Sequence, residues 1–236
     1  MNSISLAEPI KAIETTSWTS EKETRHLTEV HKESSAQHNE NRKIQLIHPC
    51  SVTSRASHSG AILPPLSLAY LSATLREAGY PVSIIEGQGG GVLNIRQSKC
   101  GLYNLQGLTT EEILDQIEPE THIVGISLLF SYEWLIQREL IQAIRARYPD
   151  IKIIVGGEHP TALPEYVLRD CPEIDFVVLG EGEFTLLELV SGIFYSKEFL
   201  SIPGLAYLDD QGNFISNGLS KRIMHIDDIP RPAWDL

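Results

Sequence analysis

IKIIVGGEHPTALPE, residues 151–165, decides the fold. Ile151 to Val155 form a short, continuously apolar run, the mark of a strand buried on both faces. Gly156 and Gly157 end the run, and Glu158, His159 and Pro160 turn the chain. Thr161 then opens a helix-like stretch, TALPEYVLRD, with Thr161 as the expected N-cap. A buried strand that passes through two glycines into a helix is the grammar of a parallel sheet covered by helices.

The same grammar repeats outward in both directions. IQLIH (44–48) reads as a first strand, followed by the Ser-, Gly- and Pro-rich loop PCSVTSRASHSGAILPP. LSLAYLSATLREAG then carries Leu66, Ala69, Tyr70, Ala73 and Leu75 at helical spacing, with Gly79 as its stop. YPVSIIEG is a second strand. TTEEILDQIEP is a short helix capped by Thr109 or Thr110, with acids in its first turn. THIVGIS (121–127) is the third strand, SYEWLIQRELIQAIRARYP a long amphipathic helix, and IDFVVLG with EFTLLELVSGIF the fifth strand and its helix. Residues 87–108 look like an insertion. Their GQGGG run lacks both GK[ST] and the GxGxxG spacing, so the segment reads as a flexible loop, with a ligand-contacting lid as the second reading. The fold class is α/β: a doubly wound, five-stranded parallel sheet, flavodoxin-like or Rossmann-like, in strand order 2-1-3-4-5 with right-handed crossovers.

Composition narrows the function. The chain has 236 residues, 42% of them hydrophobic, and a formal net charge of -12. That charge, with no basic stripe, argues against a nucleic-acid partner. No apolar run is long enough for a membrane span, and no signal peptide is legible at the N-terminus. Cys50, Cys100 and Cys171 are far apart, without the close spacing of zinc or iron–sulfur ligands, so no iron–sulfur cluster is expected; an odd thiol count fits a reducing cytoplasm. Residues 1–42 read as a disordered polar tail with a transient helix near 21–33, and the spacing of His26, His31 and His38 does not stack them on one helical face. Residues 43–200 form the expected domain. After it, PGLAYLDDQGNFISNG reads as a C-terminal β-hairpin extension, and KRIMHIDDIPRPAWDL as a linker, together 201–236.

In an open parallel sheet, ligands bind at the carboxyl ends of the strands. His48 and Pro49, and later Pro64 and Pro65, follow the first strand. Ser127, Leu128, Leu129, Phe130 and Ser131 follow the third, Gly156 to Thr161 the fourth, and Gly180, Glu181, Gly182 and Glu183 the fifth. The glycines suit close backbone approach by a large ligand. Glutamates at helix N-termini disfavour a strongly anionic one, so a large, mostly neutral ligand fits better.

The spacing S-x-L, then 26 residues, then GG (Ser127, Leu129, Gly156, Gly157) resembles the signature of cobalamin-binding domains. LPPLSLAYLSATLREAGYPVSIIE, VGISLLFSYEW, VGGEHPTALPEYVL, DFVVLGEGEFTLLELV, IPGLAYLDDQGN and IDDIPRPAWDL together resemble the N-terminal half of cobalamin-binding radical SAM enzymes, over residues 44–236. The resemblance implies that the serine contacts the dimethylbenzimidazole tail and that the glycines admit that tail between strands. Its candidate cofactor-binding residues are Pro64, Pro65 and Leu66; Ser127, Leu129, Phe130 and Ser131; Gly156, Gly157, His159, Pro160 and Thr161; and Gly180, Glu181, Gly182 and Glu183. Where many cobalamin domains carry DxHxxG, this chain has HPCSVTSRASHSG. The resemblance therefore implies base-off cobalamin with neither His48 nor His58 on cobalt, and metal ion binding through the corrinoid alone. The CxxxCxxC of a radical SAM domain is absent, so the chain reads as a truncated cobalamin-binding module of a methyltransferase-like system. It has no catalytic centre of its own, and its partner would be a radical SAM domain or protein. The alternative is a degenerate, ligand-free regulatory domain that docks a protein partner through its tail and Trp234. An FMN enzyme would need a phosphate loop that HPCSVTS does not supply. His159 has a structural reading as well, orienting its loop through a hydrogen bond, and Glu181 and Glu183 have one in satisfying helix N-terminal amides.

Overall fold

The computed structural model describes residues 39, 41–56, 64–195 and 201–236. The rest of the expected tail, its helix near 21–33, and His26, His31, His38 and His58 lie outside the described residues.

The chain begins with β1 (Lys43–His48) and β2 (Ser51–Ser54), then α1 (Leu66–Glu77), β3 (Val82–Glu86), β4 (Ile95–Gln97) and β5 (Tyr103–Gln106). It continues with α2 (Thr110–Leu114), β6 (Thr121–Ser127), α3 (Trp134–Arg147), β7 (Lys152–Gly156), α4 (Glu158–Ala162) and α5 (Pro164–Asp170). β8 (Phe176–Val178), α6 (Glu183–Tyr195), β9 (Leu205–Leu208) and β10 (Phe214–Ser216) complete it. The five strands β3-β1-β6-β7-β8 are all parallel, in the expected 2-1-3-4-5 order. β9 pairs antiparallel with β8, and β10 with β9, so the C-terminal hairpin continues the same sheet to seven strands among the described residues.

Each central strand divides its side chains between two cores, as period two requires. Ile44, Leu46, Ile123, Ile154 and Val178 pack beneath α1 and α6 with Leu68, Leu75, Leu186 and Val190. Ile47, Val124, Ile126, Ile153, Val155 and Val177 face α2, α3 and α5 with Ile113, Ile141 and Leu168. Burial on both faces is why these strands read as unbroken apolar runs.

Three expectations are corrected. Residues 87–108 are not a flexible loop, and the segment after β1 is not loop throughout: β2, β5 and β4 form a small antiparallel sheet. The buried Glu133 ties this sheet to α3, accepting the Val52 N–H at 3.1 Å on one oxygen and the Gln137 side-chain amide at 3.0 Å on the other. Arg96 donates to the Gly107 and Leu108 carbonyls at 2.7 and 2.8 Å. Thr161 is not an N-cap either. The helix starts at Glu158 directly on Gly157, and Pro164 starts a new helix at its first position, where a missing N–H costs nothing. Thr109 does cap α2, in a complete capping box with Glu112.

Candidate functional site

The carboxyl ends of β6 and β7 open into a cavity of about 430 Å³ on the face covered by α1 and α6. Its floor follows from the alternation of side chains along the strands. Gly125 and Ser127 share the parity of Ile123, and Gly156 shares that of Ile154, so small residues fall where the helices would otherwise meet Ile or Leu. Leu46, Ile154 and Val178 give the floor an apolar surface, Ser67, Leu68 and Leu71 of α1 form one wall, and Gly182, Glu183 and Leu186 of α6 form the other. Leu219 approaches from the C-terminal segment.

The two glycines of the VGG turn do different work. A Cβ on Gly156 would meet Val178 O at 3.5 Å, an ordinary contact, so the space above it is cavity. Gly157 has φ 112° and ψ -175°, a conformation essentially reserved for glycine, and a Cβ there would sit 2.5 Å from the Leu128 carbonyl oxygen. That backbone approach is needed: Leu128 N–H donates to Gly156 O at 2.8 Å, and His159 N–H donates to Leu128 O at 3.2 Å.

Of the candidate residues, Ser127, Leu129, Gly156, Gly157, Thr161, Gly180, Glu181, Gly182 and Glu183 line this cavity. The others do not. His159 is buried, with Nδ1 2.9 Å from Ser131 Oγ and its ring 5.2 Å from that of Trp134, and burial lowers its pKa. Pro160 is buried beside it. Phe130 is half exposed and stacks on Tyr132 with ring centroids 5.4 Å apart. Pro64 and Pro65 line a separate hollow with Ala233 and Trp234, and Leu66 is exposed at the start of α1. Sequence reasoning missed Gly125, the α1 wall, Leu46 and Leu219. For Gly125 a signal existed, a glycine inside a strand two positions before Ser127.

Electrostatically the cavity is acidic. Among the described residues, Glu158, Glu181 and Glu183 line it, without any Lys, Arg or His. Burial pushes the Glu183 carboxyl up from the usual carboxylate range, the nearby Glu181 charge adds to this, and backbone N–H groups of the first helical turn oppose it. Its Oε2 is buried without a hydrogen-bond partner. Glu181 instead accepts the Ile223 N–H and pairs loosely with Arg222 at 3.9 Å. Thr161 Oγ1 accepts the Gly180 N–H at 3.1 Å, stitching the β7 turn to the β8 turn. His48 lies outside the cavity with Nδ1 on Glu86. Among the described residues, no group of His, Cys, Asp and Glu is arranged to hold a metal ion, and no helix is long and apolar enough to cross a membrane.

The family model described as "B12 binding domain" matches residues 53–190, more than half of the chain. An uncharacterized methyltransferase of Pyrococcus horikoshii is 32% identical over 196 residues, covering 82% of this chain and 38% of that protein. An anaerobic magnesium-protoporphyrin IX monomethyl ester cyclase of a Synechocystis species is 28% identical over 74% of this chain and 32% of its own length. The chain thus spans about a third of the length of these curated relatives. Among solved structures, the cobalamin-dependent S-adenosylmethionine radical enzyme OxsB, with aqua-cobalamin and S-adenosylmethionine bound, aligns over 84% of this chain and 25% of its own, with a TM-score of 0.63 at 22% identity. The radical S-adenosylmethionine methyltransferase TsrM from Kitasatospora setae, with cobalamin and a [4Fe-4S] cluster bound, gives 0.53 at 20% identity, over 81% of this chain and 31% of its own.

Proposed function

Because the chain belongs to the B12 binding domain family, we propose that it holds cobalamin at the carboxyl ends of its parallel strands, with the nucleotide tail, its base off the cobalt, in the slot between β6, β7, α1 and α6. The observation that carries this reading is the slot itself: Ser127 and Gly156 keep open about 430 Å³ that Ile- or Leu-sized side chains would fill, and Gly125 makes room for the Leu46 side chain of its floor. The apolar floor and walls suit a flat aromatic base. Ser127 supplies a hydroxyl among them, and the Gly180–Thr161 bond fixes the rim. Three carboxyls and, among the described residues, no cation in the lining favour the neutral base over an anionic group at this point.

Bound cobalamin supplies a cobalt centre that can carry a one-carbon group. The residues of this chain bind and orient the cofactor; the chemistry belongs to a radical SAM domain or protein, as the names of the relatives suggest. Residues 43–200 would be the cofactor-binding unit and residues 201–236 the connection toward that partner. Three free, widely spaced thiols fit a cytoplasmic setting.

The test is an absorption titration of the full chain with hydroxocobalamin, repeated after reduction. A saturable spectral change is expected, and Gly156→Phe should abolish it while leaving the circular dichroism of the fold intact. A folded wild-type protein that gives no spectral change would overturn the assignment.

A further inference from the structure

Glu183 has one oxygen to spare: the Glu183 and Gly182 N–H groups engage its carboxyl, while Oε2 is left without a partner. It is the first residue of α6 and it lines the cavity, yet Oε2 is buried and makes no hydrogen bond. Leaving a buried polar atom unpaired is costly, so such an atom marks an absent partner. The neighbouring carboxyls do not share its situation. Glu181 has the Ile223 N–H and Arg222, and Glu158 stands at the start of α4 across the slot. Burial raises the Glu183 pKa and the Glu181 charge adds to this, against the Glu183 and Gly182 N–H groups; in its neutral form the carboxyl has one O–H to donate. What it needs is an acceptor, and one that sits comfortably against Leu46, Leu68, Ile154 and Val178.

We infer that Glu183 reads the tail base of the cofactor, its carboxyl O–H donating a hydrogen bond to the imine-type nitrogen of a benzimidazole seated in the slot. This rests on the cobalamin reading above. A benzimidazole displaced from cobalt exposes one in-plane nitrogen lone pair on an otherwise apolar ring, so it matches a slot with apolar walls in which the Glu183 carboxyl adds a donor to the Ser127 hydroxyl. Glu183 is thereby a specificity-determining residue: it separates cofactors whose tail carries that nitrogen from cofactors whose tail does not.

The experiment uses the full chain and three probes in the cob(II) state: cobalamin, p-cresolylcobamide, whose phenolic tail lacks the nitrogen, and cobinamide, which lacks the tail. Binding is followed by absorption for wild type, Glu183→Leu and Glu183→Gln. The cost of displacing the base is common to all three proteins, so the comparison across variants removes it. Glu183→Leu should weaken cobalamin about tenfold, as for one buried hydrogen bond, and leave p-cresolylcobamide within about twofold. Glu183→Gln keeps an N–H donor and should restore most of the loss. Infrared difference spectra of wild type should show a protonated-carboxyl band that shifts on adding cobalamin and is missing in Glu183→Gln; this carries the test if Glu183→Leu does not fold. Equal loss of both tailed probes, or no loss of either, overturns the inference while cobalamin binding stands. So does wild-type protein that binds cobinamide as tightly as cobalamin, because the tail is then not in the slot. A wild-type protein that binds none of the three overturns the cobalamin reading, and this inference with it.

Discussion

Gly156→Ala and Gly157→Ala differ by one position and should differ sharply in outcome. At Gly157 the new Cβ would stand 2.5 Å from Leu128 O and 3.0 Å from Leu128 C, both backbone atoms. Leu128 cannot retreat freely, because its N–H and its C=O are bonded to Gly156 and His159 and its side chain is fully buried. Holding a non-glycine residue at φ 112° costs about 1–3 kcal/mol. Losing one of the two flanking hydrogen bonds adds about 1 kcal/mol. The sum, about 2–4 kcal/mol, corresponds to a fall in Tm of roughly 5–15 °C for a domain of this size. At Gly156 the Cβ finds Val178 O at 3.5 Å and a strand conformation that alanine accepts, so the change in stability should stay within about 1 kcal/mol. Thermal unfolding followed by circular dichroism measures both. A Gly157→Ala protein that melts with wild type, or a Gly156→Ala protein that loses as much as Gly157→Ala, would refute the division of labour between the glycines.

Two further predictions concern the scaffold behind the slot. His159 is buried and its folded-state pKa is depressed by desolvation, so the unfolded chain binds the extra proton first; the stability advantage of wild type over His159→Gln should be whole above about pH 6.5 and shrink as the pH falls below it, and an advantage constant with pH would contradict this. Arg145 donates to the carbonyls of Pro149, Ile151 and Glu173 at 2.8, 2.6 and 2.9 Å and to the Asp175 carboxylate at 2.6 Å, so Arg145→Lys, which keeps the charge but loses the planar fork, should cost about 2–3 kcal/mol in urea unfolding; a neutral result would mean that charge alone suffices there.

The main sheet was legible because its strands are buried on both faces and therefore continuously apolar, and because each is followed by a helical pattern. β2, β4 and β5 were not legible for the opposite reason. SVTS, IRQ and YNLQ are short, mixed in polarity and carry no periodicity of their own; they are held by Glu133 and Arg96, contacts that sequence patterning does not reveal. Thr161 was misread because a threonine after a proline resembles a helix start. The backbone instead enters the helix at Glu158, straight from Gly157, which frees the Thr161 hydroxyl to accept the Gly180 N–H. The strand-end rule placed Ser127, Gly156 and the Gly180–Glu183 turn at the cavity. It could not place Ser67, Leu68 and Leu71, which sit mid-pattern on a helix and reach the cavity only when α1 folds back over the sheet.

The same rule could not say on which face of the sheet a strand-end residue would act, and parity decides that. Along β6 and into its turn, Gly125 and Ser127 alternate with Ile126 and Leu128; at the end of β7, Gly156 follows Val155. The bulky set, Ile126, Leu128 and Val155, packs in the core beneath α3, and the small set lies under α1 and α6. His159 belongs to the solid side, pinned by Ser131 and Trp134, which is why a histidine in a glycine turn can sit next to the slot in sequence and still be absent from its lining. A one-residue slip of either strand would turn the Ile126 or Val155 side chain from the α3 core onto the face under α1 and α6 and open a void under α3. The bulk of Ile126, Leu128 and Val155 therefore matters to the site as much as the glycines do: they fix the register that keeps the small residues under α1 and α6.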